Sequence, residues 1–238
     1  MIRPGFRPLL LAALVLLPAA ASAQDMHASH PDRTFWMVRN QVDWSNPDDV
    51  DLWTWESDAW IGGDTNKLWL RSDGEIMDGD VEQASLEVLY SRNVATFWDV
   101  QAGVRHEFEP DGVSHLVAGV QGLAPYQFET EAFAYLSEDG DLGLRFEQAL
   151  DLHLTQRLIL EPEVEAGFQF QDVPERGLGS GLTSVGVSAQ LRYEITRKVA
   201  PYVEVGYERL LGDTADLAAA AGHDDEETSL RIGLRSWF

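Results

Sequence analysis

The chain has 238 residues, with 40 acidic side chains against 17 basic ones, a formal net charge of -23, and no cysteine. That charge argues against nucleic acid as a partner, because phosphate binding needs a basic surface, and it favours cations instead. The missing cysteines exclude disulfides and thiolate metal sites.

In chain order, a secretory signal comes first. Arg3 and Arg7 give a positive start, residues 9–17 are apolar, and Ala21, Ser22 and Ala23 form a small-residue cleavage site. The apolar run is shorter than the roughly 20 residues of a helical span. Residues 1–23 are therefore expected to be removed, leaving an exported chain that starts at Gln24. Residues 24–33 read as a short polar tail without hydrophobic period, expected to be disordered. The tail holds Met26, His27 and His30 close together.

From Thr34 onward the period is two. Trp36, Val38, Val42 and Trp44 alternate with mostly polar positions, as do Trp53, Trp55, Ala59 and Ile61. Gly62, Gly63 and Asp64 supply the residues of a tight turn between two such stretches. The alternation is clearest at Leu160, Val164, Ala166, Phe168 and Phe170, set against Glu161, Glu163, Glu165, Gly167 and Gln169. It continues to Leu230, Ile232, Leu234 and Phe238. About twelve stretches of roughly 10–12 residues result, the length of a tilted membrane strand. Their expected spans are 34–44, 50–61, 66–76, 81–91, 96–107, 113–123, 128–137, 142–153, 158–170, 182–194, 201–211 and 227–238.

The expected fold is all-β: an antiparallel transmembrane β-barrel of about 12 strands over residues 34–238, with no second domain. A soluble barrel of twelve long strands would enclose more apolar space than the chain can fill. The polar face carries Glu and Arg together, as a wet or ion-paired lumen does. Aromatic residues near strand ends (Trp44, Trp60, Trp98, Tyr126, Tyr193, Tyr202, Trp237 and Phe238) fit interface girdles. An even strand number puts both chain ends on the periplasmic side. The long connections 171–181 and 212–226 then both face outward.

By parity the lumen collects carboxylates such as Glu56, Asp58, Glu87, Glu131, Glu147, Glu194, Glu204 and Glu208, sharing a face with Arg71, Arg105, Arg145, Arg192, Arg231 and Arg235. Some close the interior as ion pairs; the surplus of acids attracts and passes cations. Glu161, Glu163 and Glu165 form the densest run, about 7 Å between neighbours on one side of one strand. Two readings stand for them: a seat for a hard cation, or pairing with arginines across the lumen, the second favoured. Without Cys, the soft and borderline metal ligands are Met and His. Met26, His27 and His30 are candidates, although a polar tail also gathers such residues without a metal role. His223 lies in an acidic stretch that reads as a solvated loop. No G-x-S-x-G or H-E-x-x-H motif is present. Ser114 and His115 are adjacent and so point to opposite faces. A barrel lipid hydrolase needs Ser and His on one face of neighbouring strands, and the sequence leaves that open.

Several segments resemble one known family. Residues 59–75 (AWIGGDTNKLWLRSDGE), 90–92 (YSR), 97–105 (FWDVQAGVR), 122–128 (GLAPYQF), 154–162 (LTQRLILEP), 174–181 (PERGLGSG) and 200–204 (APYVE) are similar to the copper resistance protein B family of Gram-negative outer membranes. The likeness spans nearly the whole chain after the signal. It implies an outer-membrane barrel, not an enzyme, that serves copper tolerance by binding copper or passing it. The implied partners are copper ions, outer-membrane lipid and a periplasmic copper-handling protein. Members often carry a long Met- and His-rich segment before the barrel. Here only Met26, His27 and His30 remain, which shifts weight from the tail to the barrel. Met37 and Met77 are further soft side chains, and a Met beside Trp36 is more often packing. The expected metal ligands are thus Met26, His27 and His30 in the tail and Glu161, Glu163 and Glu165 in the lumen. A structural or general-diffusion barrel and an outer-membrane lipid hydrolase are the alternatives.

Overall fold

The computed structural model describes residues 33–110 and 112–238. The strands are β1 (Phe35–Ser45), β2 (Leu52–Gly62), β3 (Asn66–Met77), β4 (Asp80–Ala95), β5 (Trp98–Glu109), β6 (Ser114–Ala124) and β7 (Phe128–Ser137). They continue as β8 (Leu142–Ala149), β9 (Leu152–His153), β10 (Leu158–Gln169), β11 (Gly181–Tyr193), β12 (Val199–Leu210) and β13 (Glu226–Trp237). β8 and β9 both pair with β10, so they share one position and the barrel has twelve. Each strand pairs antiparallel with its neighbours in sequence, and β13 closes on β1. Closure leaves no open edge, which a strand bundle in lipid requires. The final residue takes part: Phe238 N–H donates to Val38 O at 2.9 Å, and Val38 N–H donates back at 3.1 Å.

The period of two produces this arrangement because each strand sends alternate side chains to opposite sides. Outside lie Trp36, Trp53, Ile61, Leu116, Val187, Val205, Leu230 and Ile232, all exposed. That apolar wall matches a lipid environment rather than water. The connections divide by length, as expected. Those at the end carrying the chain termini are short turns such as residues 63–65 and 96–97, while the opposite end carries residues 170–180 and 211–225.

The observed strands match the expected spans to within a few residues, with four differences. Residues 142–153 break at Leu150 and Asp151, giving β8 and β9. The connection after β12, expected to be a loop, contains helix α1 (Gly212–Ala221), ended by Gly222 in the left-handed region (φ 84°). Ala is the strongest helix former, and Gly at this position is a common stop. Tyr202 and Trp60, expected in the girdles, face inward. Tyr202 is buried and its hydroxyl donates to Asp43 Oδ2 at 2.8 Å. Trp60 packs against a buried apolar cluster.

Candidate functional site

The lumen is unequally filled. On the β3–β7 side, inward Trp69, Leu89, Val117 and Phe133 form a buried apolar knot, with Met37, Trp60 and Tyr135 packed on it. Met37 is therefore a packing residue, as its place beside Trp36 suggested. The Arg71 guanidinium lies 5.2 Å from the ring centroids of both Trp69 and Phe133, a cation–π arrangement. It also donates to Glu131 and Gln121, both at 3.1 Å. Glu87 is buried between Arg71 and Arg105 in register, and its carboxylate accepts no hydrogen bond among the described residues. At the level of the knot, side chains fill this half of the interior.

Toward the terminal end, an ion-pair strut crosses the lumen. Arg235 on β13 donates to both oxygens of Glu161 on β10, at 2.9 and 3.0 Å, and its Nε donates to Gln41 at 2.7 Å. Arg192 on β11 pairs with the same Glu161 and with Asp151. Two parallel bonds from one guanidinium give this contact directional strength. Glu161 is thus held by two arginines.

The other half of the lumen is a cavity of about 310 Å³ lined by ten glutamates and four arginines. Three of these arginines, Arg145, Arg231 and Arg235, follow from sequence parity; Arg39 was missed, although it stands at an inward position of β1. Arg39 donates to Glu56 at 2.6 Å and to Asp58 at 2.5 Å. Glu163 and Glu165 both line the cavity. Glu165 meets Arg145 at 3.4 Å, while Glu163 has no arginine partner among the described residues. Glu194, expected in the lumen, lies just beyond β11.

The main line of carboxylates runs across strands rather than along one. Glu131 pairs in register with Glu147, Glu147 with Glu165, Glu165 with Gly186, Gly186 with Glu208, and Glu208 with Glu227. Neighbouring strands are about 5 Å apart. Because barrel strands tilt, such a row climbs the lumen. It starts near the terminal end of β7 and finishes near the loop end of β13. Only Gly186 interrupts it, and a Cβ there would come 2.7 Å from Glu165 Cγ. Arg145 serves both Glu147 and Glu165, each at 3.4 Å. Directly opposed like charges repel by about 0.8 kcal/mol at 5 Å in water, and about 3 kcal/mol at an effective dielectric of 20. A cation placed between them would relieve that repulsion. A single-strand reading misses this row, because register decides it.

Among the described residues, no three His, Asp or Glu side chains converge in metal-ligating geometry. Met26, His27 and His30 lie outside the described residues. His223 is exposed after α1. On the outer wall, His106 Nδ1 and Ser114 Oγ are 3.1 Å apart on adjacent strands.

A closed twelve-position barrel with an apolar exterior and a charged lumen is the architecture of outer-membrane porins. Two solved structures are similar to this chain in fold: the NanC porin (TM-score 0.54, 15% identity, 85% of this chain and 99% of that one) and the KdgM porin (TM-score 0.51, 12% identity, with the same coverage). In sequence, the family described as "Copper resistance protein B precursor (CopB)" matches residues 33–238. Copper resistance protein B of Escherichia coli is 40% identical over 214 residues, covering 89% of this chain and 72% of that protein. A copper resistance protein B homolog of Pseudomonas syringae pv. tomato is 39% identical over 204 residues, covering 85% and 69%. The chain belongs to the copper resistance protein B family.

Proposed function

We propose that this protein sits in the bacterial outer membrane and serves copper tolerance by binding copper ions in its acidic lumen and passing them along it. The reading rests on the family and, above all, on the glutamate row from Glu131 to Glu227. A line of like charges with too few arginines draws cations from solution and offers several weak sites in succession, which conduction needs. The apolar knot confines traffic to the glutamate side. Glu163 and Glu165 line the cavity, Glu163 without an arginine partner among the described residues, and Glu161 is a structural anchor. Met26, His27 and His30, which precede the barrel in sequence, supply soft ligands for exchange of metal with a periplasmic copper-handling protein.

Copper tolerance of cells lacking the protein tests this reading. The parent chain should restore tolerance, and the combined change Glu147→Gln, Glu165→Gln, Glu208→Gln should fail to do so while still assembling. Full restoration by the triple variant would refute lumenal handling. One observation favours a lipid hydrolase as a second reading, namely the outward pair His106 and Ser114. No acidic side chain holds the other ring nitrogen of His106 among the described residues, so the nucleophile lacks the usual orienting partner. Lipase activity abolished by Ser114→Ala would revive that reading.

A further inference from the structure

The loop between β10 and β11 folds over the lumen at the end away from the chain termini. It is closed on itself by paired bonds between Val173 and Leu178, at 2.8 and 3.1 Å. It also leans on α1, where Gly179 N–H donates to the buried Thr214 Oγ1 at 2.9 Å. From this loop Arg176 reaches the opposite wall. Its Nη2 pairs with Glu107 of β5, and its Nη1 donates to His115 Nε2 of β6 at 3.2 Å. These groups line a second cavity of about 220 Å³, separate from the glutamate row except for Arg145.

His115 is the unusual member. Its side chain is only 6% exposed, and its Nδ1 is buried with no hydrogen-bond partner among the described residues. Glu107 Oε1 stands 4.0 Å from that nitrogen, too far for a hydrogen bond. The gap is wide enough for an ion held at about 2 Å from each atom. Arg105 also approaches Glu107, at 3.4 Å, but Asp73 already matches its charge with two bonds of 2.8 and 2.9 Å. Arg176 is therefore the cation that competes for Glu107. It is a quarter exposed, so water can receive it when it leaves.

We propose that His115 Nδ1 and Glu107 form an entry site for a divalent transition-metal ion, and that Arg176 is its built-in competitor, so that metal binding unlatches the loop. This rests on the lumenal reading above and names where the ion first binds. An arginine can only donate, so in the latched state His115 Nε2 accepts and the neutral ring carries its proton on Nδ1. When the metal takes the Nδ1 lone pair, that proton passes to cavity water and Nε2 takes one up, leaving the ring neutral. Nε2–H then faces the N–H of Arg176, donor against donor, beside a new positive charge. Metal and latch exclude each other by proton inventory and by charge. Water in the cavity completes the coordination. Imidazole with carboxylate suits copper or zinc, whereas magnesium prefers an all-oxygen set.

The test is titration calorimetry with Cu²⁺, and with Mg²⁺ as control, on the refolded chain from residue 24 carrying Met26→Ala, His27→Ala and His30→Ala to silence the tail. Arg176→Met should tighten Cu²⁺ binding at least tenfold, and His115→Ala and Glu107→Gln should each weaken it at least tenfold. Cu²⁺ should also speed amide exchange across residues 172–180, and Mg²⁺ should do neither. Unchanged affinity in Arg176→Met, or in both His115→Ala and Glu107→Gln, would overturn the site. Unchanged exchange on saturation with Cu²⁺ would overturn the unlatching. Failure of the glutamate row appears elsewhere, as lost ion selectivity with this binding intact, so the two ideas fail separately.

Discussion

The strut through Arg235 offers a sharp test of how the lumen is held. Arg235→Ala removes two charge-assisted bonds to Glu161 and one to Gln41. The two charged side chains are 11% and 14% exposed, so the pair is largely shielded from water. Breaking a buried pair by deleting one partner costs about 3–5 kcal/mol. Arg192 stays on Glu161 and the cavity admits water, which places the expected loss at about 3 kcal/mol, the lower end of that range. Arg235→Lys keeps the charge but loses the fork, so about half the loss should remain. Urea unfolding of the refolded barrel in lipid vesicles, followed by tryptophan fluorescence, measures both variants. The floor of the cavity should also open, raising the ion current of Arg235→Ala in planar bilayers. Stability of Arg235→Ala within about 0.5 kcal/mol of the parent, the range of an ordinary surface change, would refute the strut.

Three further outcomes follow from the packing. Phe133→Ala should destabilise by about 3–5 kcal/mol in the same unfolding assay, because it empties the centre of the apolar knot. Gly119→Ala should block refolding, seen as loss of the heat-modifiable band on gels, since the new Cβ would lie 2.3 Å from Phe133 Cδ1 and 2.4 Å from Ala132 O. Tyr202→Phe should cost about 1–3 kcal/mol by leaving the buried Asp43 oxygen without its donor.

Alternation made the barrel readable because one rule, apolar outside and polar inside, holds around the ring. Strand ends followed from turn residues such as Gly63 and Asp64, which lie in the connection between β2 and β3. The rule fails where an inward residue is apolar. Trp60 and Tyr202 read as girdle residues from their place near strand ends, yet one packs in the knot and the other anchors Asp43. The knot itself draws one residue from each of several strands, so no single stretch displays it. The glutamate row is hidden in the same way, since Glu131 and Glu227 become parts of one line only after register and tilt are fixed. Helix α1 left a clearer trace, a run of Ala218, Ala219, Ala220 and Ala221 ended by Gly222. The Arg176 latch spans 61 and 69 residues of sequence to reach His115 and Glu107, beyond any local pattern.

Cations that move along the glutamate row, as proposed above, make the parent chain cation-selective. The reversal potential across a planar bilayer under a KCl gradient tests it most directly, measured on the parent and on the combined Glu147→Gln, Glu165→Gln, Glu208→Gln chain. A cation-selective parent whose selectivity falls toward zero in the triple variant is the predicted result. A parent that carries no current, prefers anions, or keeps its selectivity after the triple change would contradict the account.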